Sequence, residues 1–254
     1  MRRLLSGYGP AALIVAATIG LWEVIVRAAS LPSYILPPPS GVAGAFDADG
    51  ALLARATWVT LREVLAGFAV AVVAGIAIAV VLHFSGHLRR ALTPLLIASQ
   101  TVPVVVLAPV LVFLMGYGIG PKLVIVALIC FFPVVVNMLD GLRSVDPELV
   151  TMMRTLHASR RDVLVRVEIP AALPRLFSGM RVAATYAAIG AVFGEWAGST
   201  EGLGYVMLQA TPSLETERVI AVVVILSLVS LALFAAVDLL ERRFAPWARV
   251  PYDL

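Results

Sequence analysis

With one cysteine, one lysine and three histidines, this 254-residue chain is short of the thiol, amine and imidazole side chains used in metal and nucleophile chemistry. With Cys130 alone, no intramolecular disulfide and no cysteine-built metal cluster can form. Its setting, "VIVALICFFPVVV", reads as a small packing residue in an apolar run. A phosphate-cradling loop needs G-x-x-x-x-G-K-[ST]. The only lysine, Lys122, lies in "GYGIGPKL", where proline precedes it and leucine follows. There is also no H-E-x-x-H and no G-x-S-x-G. The chain is therefore not read as an enzyme, and it implies no cofactor and no metal. Charge is scarce too: 14 % of residues are charged, against about 25 % in soluble domains.

Hydrocarbon fills the place of what is missing. Hydrophobic residues make up 61 % of the chain, and the mean hydropathy is +0.97. The apolar runs are about twenty residues long, enough to cross a bilayer. The arginines fall in the gaps between them and form no polar groove-facing surface, which excludes nucleic acid as a partner. The fold class is an all-α polytopic membrane protein, a single transmembrane domain over 1–254 with about six spans: 10–29, 59–83, 91–115, 121–141, 176–198 and 218–240. The start, "MRRLLSGYGPAALIVAATIGLW", has the basic head and apolar run of a signal peptide, but no clear small-residue cleavage site follows, and it reads as a retained first helix. Pro37, Pro38 and Pro39 forbid a continuous helix out of the first span. They predict an extended segment leading into a short amphipathic piece. "GYGIGP" (116–121) is a tight turn, and residues 199–217 form a gap.

Arginine and lysine counts set an orientation. With six spans, both termini, residues 84–90 and residues 142–175 share one side, which carries fourteen of the nineteen basic residues. The other side has Arg27, Arg55, Arg62, Lys122 and Arg218. That places both termini and the 142–175 loop in the cytoplasm of a cell whose inner membrane holds the chain.

The order of residues in that loop says more. Asp146 before Pro147 is a good helix start, an acceptor at the N-cap and a proline at the first position. Leu149, Met152, Met153 and Leu156 then recur at i, i+3, i+4 and i+7 and give a short helix one apolar stripe. Ser159 and Asp162 make an S-x-x-D capping pattern, and Asp162 can pair with Arg166 one turn on. Pro170 and Pro174 then interrupt this second helix ahead of the fifth span. Methionine's adaptable side chain suits a docking surface. The stripe could equally lie on the membrane surface or on the chain's own spans.

Residues 151–170 resemble the EAA motif of ABC-importer permeases, which runs E-A-A, three residues, G, nine residues, I-x-L-P. The spacing matches at Thr151-Met152-Met153, His157 and Val167-Glu168-Ile169-Pro170, although most identities depart from the pattern. "RTLHASRRDVLVRVEIPAALPRLFSGMRVA" and "GEWAGSTEGLGYVML" closely resemble permeases for nitrate, taurine, aliphatic sulfonates and thiamine-precursor pyrimidines. "LPSYILPPPS", "TLREVLAGF" and "PVLVFLMGYGIGPK" fit the same group, and "SGMRVAATYAAIGAVFGEW" is most similar to its pyrimidine-precursor members. The resemblance implies a permease subunit that forms the path for a small solute in an ATP-driven importer. Its implied partners are a second copy of the chain, a cytoplasmic ATPase dimer, an extracytoplasmic binding protein and the surrounding lipid. It also implies that the first loop helix is a coupling helix, with Glu148, Leu149, Thr151, Met152, Met153, Leu156, His157 and Arg160 as candidate ATPase-coupling residues. Histidine enters the left-handed region more readily than most residues, so the motif's turn can survive His157. Glu148 could replace the missing motif glutamate.

In the fifth span, Gly190, Gly194 and Gly198 recur every four residues beside Ala183, Ala187 and Ala191, and small residues at that spacing let membrane helices approach closely. Gly67, Ala71, Gly75 and Ala79 repeat the pattern in the second span, so it can mean packing within one subunit. An ionisable group facing lipid is costly, so Glu195 points into the protein or a wet cavity. With Tyr186 and Trp196 nearby, the translocation-path candidates are Tyr186, Gly190, Gly194, Glu195 and Trp196. Two rival readings stay open: a secondary transporter or channel without an ATPase, and a membrane scaffold that transports nothing. Glu23, Asp140, Glu195 and Asp238 are the charges a secondary transporter would have to use.

Overall fold

The computed structural model describes residues 2–248, apart from the side chains of residues 2–8 and 11. Arg249 and the side chains of Arg2 and Arg3, all counted in the charge balance, lie outside the described residues. Among the described residues there are helices and turns but no strand.

Helix α1 (Arg2–Ala28) contains the expected first span and breaks off before the proline-rich stretch. The second helix is far longer than the expected 59–83: α2 runs Pro39–Phe84. Pro39 does not block it but starts it, because a proline's missing N–H costs nothing at the first helical position. The expected amphipathic piece is its first part, set off by a kink at Asp49 (φ −112°, ψ 15°). Arg218 clamps that kink, donating to the two Asp49 carboxyl oxygens at 2.7 and 3.1 Å.

The expected third span, 91–115, is broken. It consists of α3 (Gly86–Ser99) and α4 (Val104–Met115), bent 99° apart. Pro103 is the physical reason, since proline pushes the residue before it out of the helical region. Glycines at positive φ (Gly116 at 77°, Gly118 at 142°) make the tight turn into α5 (Ile119–Leu142). The 142–175 loop forms α6 (Pro147–Thr155) and α7 (Arg160–Val163).

Pro170 and Pro174 do not interrupt the helix that leads into the fifth span. A π turn at Leu164–Glu168 joins α7 to α8 (Ile169–Gly198). There the Ile169 N–H reaches back five residues to the Leu164 carbonyl. This wider ladder carries the chain up to Pro170, which lacks an N–H to give. The expected gap 199–217 contains a further helix, α9 (Leu203–Ala210), before α10 (Thr216–Phe244). Among the described residues, four helices are long and apolar enough to cross a membrane, or five if the bent α3–α4 pair counts as one span.

The core is built on α5, which packs chiefly against α8 and α2. Both small-residue stripes face it. A Cβ at Gly190 would stand 2.9 Å from the Val126 Cα, and one at Gly194 would stand 3.0 Å from the Lys122 Cα. Gly67 of α2 closes on Val126 from the other side, and Gly75 on Val134. Close approach of backbones, rather than hydrophobic drive, is what holds helices together in lipid. A second apolar cluster joins Val42 and Leu53 of α2 to Leu203 and Val206 of α9 and Val222 of α10.

Candidate functional site

Two regions carry the chemistry, one at the end of the bundle that holds the 142–175 loop and one at the opposite end. At the loop end, α6 stands clear of the bundle with no buried residue. Asp146 accepts the Glu148 N–H at 2.8 Å, the N-cap that the sequence indicated. Leu149, Met152 and Leu156 are exposed at 39, 53 and 71 %, and Met153 is half-buried beside them. An apolar stripe so open on a short helix invites a partner. Glu148, Thr151 and Arg160 are exposed around it, and the Thr151 hydroxyl bonds back to the Pro147 carbonyl.

His157 takes φ 61°, the left-handed turn that the motif's glycine position requires. Ser159 and Asp162 form a reciprocal capping box on α7, and Arg166 lies 3.6 Å from Asp162. These local features turn the chain between α6 and α7 and cap the start of α7.

A contact that the sequence reading missed fastens the loop to the second helix. His83, at the last turn of α2, lies 2.9 Å from Glu168 at the end of the π turn, and both side chains are largely buried. Single π turns inside helices are frequent at functional sites, and this one sits between the exposed stripe and the long rod of α8. Deeper in the loop-end half, Arg181 of α8 pairs with Glu241 and lies 3.8 Å from Asp238 of α10.

The opposite end holds the buried polar groups. Glu195 has no exposure and points into the protein, not into a wet cavity. Thr60 of α2 donates to its Oε1 at 2.6 Å, and the Gly204 and Tyr205 N–H groups donate to Oε2. The Leu203 N–H in turn donates to the Thr60 hydroxyl at 2.8 Å. Glu195 and Thr60 together satisfy the orphan donors at the start of α9. Gly202, at φ 110°, has no room for a side chain because a Cβ there would strike the Glu195 carboxyl.

Beside this cap, Lys122 donates to Glu63 Oε1 at 2.6 Å and to the Ser199 hydroxyl at 2.8 Å. Lys122 and Glu63 are 8 and 2 % exposed. Neither is singled out as a site residue by the sequence alone. A signal is present, opposite charges at the same end of two adjoining spans, but 59 positions separate them in the chain.

The five path candidates fall on two faces of α8. Gly190, Gly194 and Glu195 are buried against α5 and α9 within this chain. Tyr186 and Trp196 are exposed, at 48 and 39 %. With Val182, Thr185 and Ile189 they form the one open stripe of an otherwise buried helix. The Trp196 Nε1 donates to the Gly204 carbonyl at 3.0 Å.

Fold and site define an all-helical membrane protein with an open stripe on its most buried rod and a capped apolar helix held out at one end. The chain belongs to the binding-protein-dependent transport system inner membrane component family, whose model matches residues 71–246. It is 38 % identical over 232 residues to a probable ABC transporter permease protein of Haemophilus influenzae, covering 91 % of this chain and 95 % of the relative. It is 36 % identical over 230 residues to the formylaminopyrimidine transport permease protein ThiX of Halalkalibacterium halodurans, covering 90 and 92 %. Its fold matches a chain in an inward-facing structure of the MetNI methionine ABC transporter with TM-score 0.67 at 19 % identity, over 77 % of this chain and 97 % of that one. The chain is a membrane permease subunit of an ABC importer and not an enzyme.

Proposed function

We propose that this permease works as a homodimer that takes a small solute from an extracytoplasmic binding protein and is driven by a cytoplasmic ATPase pair seated on α6. The observation that carries the reading is the apolar stripe of Leu149, Met152, Met153 and Leu156 on a capped helix with no buried residue. Movement of α6 would pass through the π turn into α8, and through His83 and Glu168 into α2. The route for solute follows the Val182–Trp196 stripe of α8, with Tyr186 and Trp196 lining it and Gly190, Gly194 and Glu195 holding the helix in place behind. Glu195 is engaged by three donors inside the fold. That leaves little of the free intramembrane charge a secondary transporter would use.

The solute we favour is a pyrimidine of the thiamine-precursor type, since both the ThiX relative and the "SGMRVAATYAAIGAVFGEW" segment lean that way. Uptake by vesicles holding the permease, its ATPase and its binding protein tests this, with formylaminopyrimidine, taurine, an alkanesulfonate and nitrate offered in turn. ATP-dependent accumulation of formylaminopyrimidine alone supports the assignment. Accumulation of a sulfonate, taurine or nitrate in its place moves the substrate class while leaving the transport reading intact. Uptake that needs no ATPase contradicts the reading itself.

A further inference from the structure

At the loop end, α3 and α5 leave a groove between them of about 500 Å³. One face of each helix lines it. Arg89 and Arg90 stand within the first five residues of α3 and Arg143 just past the end of α5, so three arginines line the loop end of the groove. None has an ion-pair or hydrogen-bond partner for its side chain among the described residues. One acidic residue, Asp140, shares the rim, and it leaves a net positive balance. Away from the arginines the walls are apolar: Leu96 and Ile97 of α3 across from Phe132 and Val136 of α5.

The groove's length decides what would fit. Arg143 and Phe132 are eleven positions apart, which along a helix is about 16 Å. That is roughly half of a hydrocarbon core about 30 Å thick, so with its arginines at headgroup level the groove would reach to about the bilayer midplane. Charge at the interface and hydrocarbon below it complement one kind of ligand. A free anion would meet the arginines but gain nothing from the apolar depth.

We infer that this groove holds an anionic phospholipid of the loop-side leaflet, its phosphate among Arg89, Arg90 and Arg143 and an acyl chain between α3 and α5. Basic pockets between membrane helices recognise such headgroups by this combination of charge and depth. The site is separate from the α6 stripe and from the open face of α8, so it stands whether or not the substrate assignment holds.

The test uses the full chain in phosphatidylcholine nanodiscs carrying a trace of spin-labelled phosphatidylglycerol or spin-labelled phosphatidylcholine. The immobilised fraction is read at low salt. The unaltered chain should prefer phosphatidylglycerol, and the triple change Arg89→Gln, Arg90→Gln, Arg143→Gln should lower that preference at least tenfold. Each arginine near an anionic headgroup is worth about a factor of five. Removing the same charge elsewhere in the loop, by Arg154→Gln, Arg160→Gln and Arg161→Gln, should leave most of the preference in place. Val136→Trp, which fills the groove and keeps its arginines, should also reduce it. Equal binding of the two lipids by the unaltered chain overturns the inference, as does a full preference in the triple variant. Displacement of phosphatidylglycerol by methanesulfonate, but not by chloride at equal ionic strength, would make the groove a solute vestibule and overturn it as well.

Discussion

Carboxylates in this protein do a job that their rarity hides: two of them cap a helix from a neighbouring one. Glu23 of α1 accepts the Ser40 N–H at 3.0 Å and so caps the start of α2. Glu195 of α8 does the same for α9. A helix start leaves its first N–H groups without a partner in the helix, so a carboxylate lent from the next helix stabilises both. Glu195→Ala should therefore lower the melting temperature in detergent, with the loss of the buried bonds costing roughly 1–3 kcal/mol. It should impair uptake while the ATPase still co-purifies. Gly194→Leu should destabilise by overpacking against Lys122, by about 1–3 kcal/mol. Lys122→Met strands the Glu63 carboxylate in the interior and should cost roughly 3–5 kcal/mol, whereas Lys122→Met with Glu63→Met should recover most of the loss. Equal melting of the single and double variants would show that the pair is not the buried unit described. Glu195 stood out in the sequence because a lone charge in an apolar run is visible by itself. Its purpose did not, because its partner Thr60 lies 135 positions away.

Among the elements, what a few neighbouring residues decide was legible and what distant packing decides was not. The Asp146 cap and the Ser159–Asp162 box each follow from residue types within one turn, and both are present; the left-handed turn at His157 was implied by the motif resemblance and is present as well. The break at Pro103 had a local signal as well, but the strength of the apolar run on either side masked it. The π turn at 164–168 and the union of α7 with α8 were not legible. Pro170 and Pro174 argued for an end, and the fold instead widened the ladder ahead of Pro170. His157→Gly should be tolerated, while His157→Val should cost about 1–2 kcal/mol, since a β-branched residue is strained at positive φ. Thermal melting of the two variants side by side checks this, and equal stability would contradict it. His83→Ala removes the tie between α2 and Glu168. If that tie transmits motion, ATP hydrolysis by the assembled importer should persist while uptake per ATP falls. A parallel loss of both would reduce His83 to a packing residue.

For the whole molecule, the polar contacts sort themselves by end. His83 with Glu168 and Arg181 with Glu241 lie toward the loop, while Glu63 with Lys122 and Thr60 with Glu195 lie opposite. The arginine count implies that the loop end and both termini face the cytoplasm. Reporters active only outside the cytoplasm, fused at residues 45, 118, 160 and 205, should be silent at 160 and active at the other three; the reverse pattern would invert the membrane orientation. The central claim is that an exposed apolar stripe on α6 is where the driving ATPase engages this permease. The most direct measurement is co-purification of the ATPase with Met153→Asp, read beside ATP-driven uptake. A carboxylate placed in a docked apolar contact costs several kcal/mol, so the variant should fold, lose its ATPase and stop transporting. A Met153→Asp permease that retains the ATPase and transports normally would contradict the account.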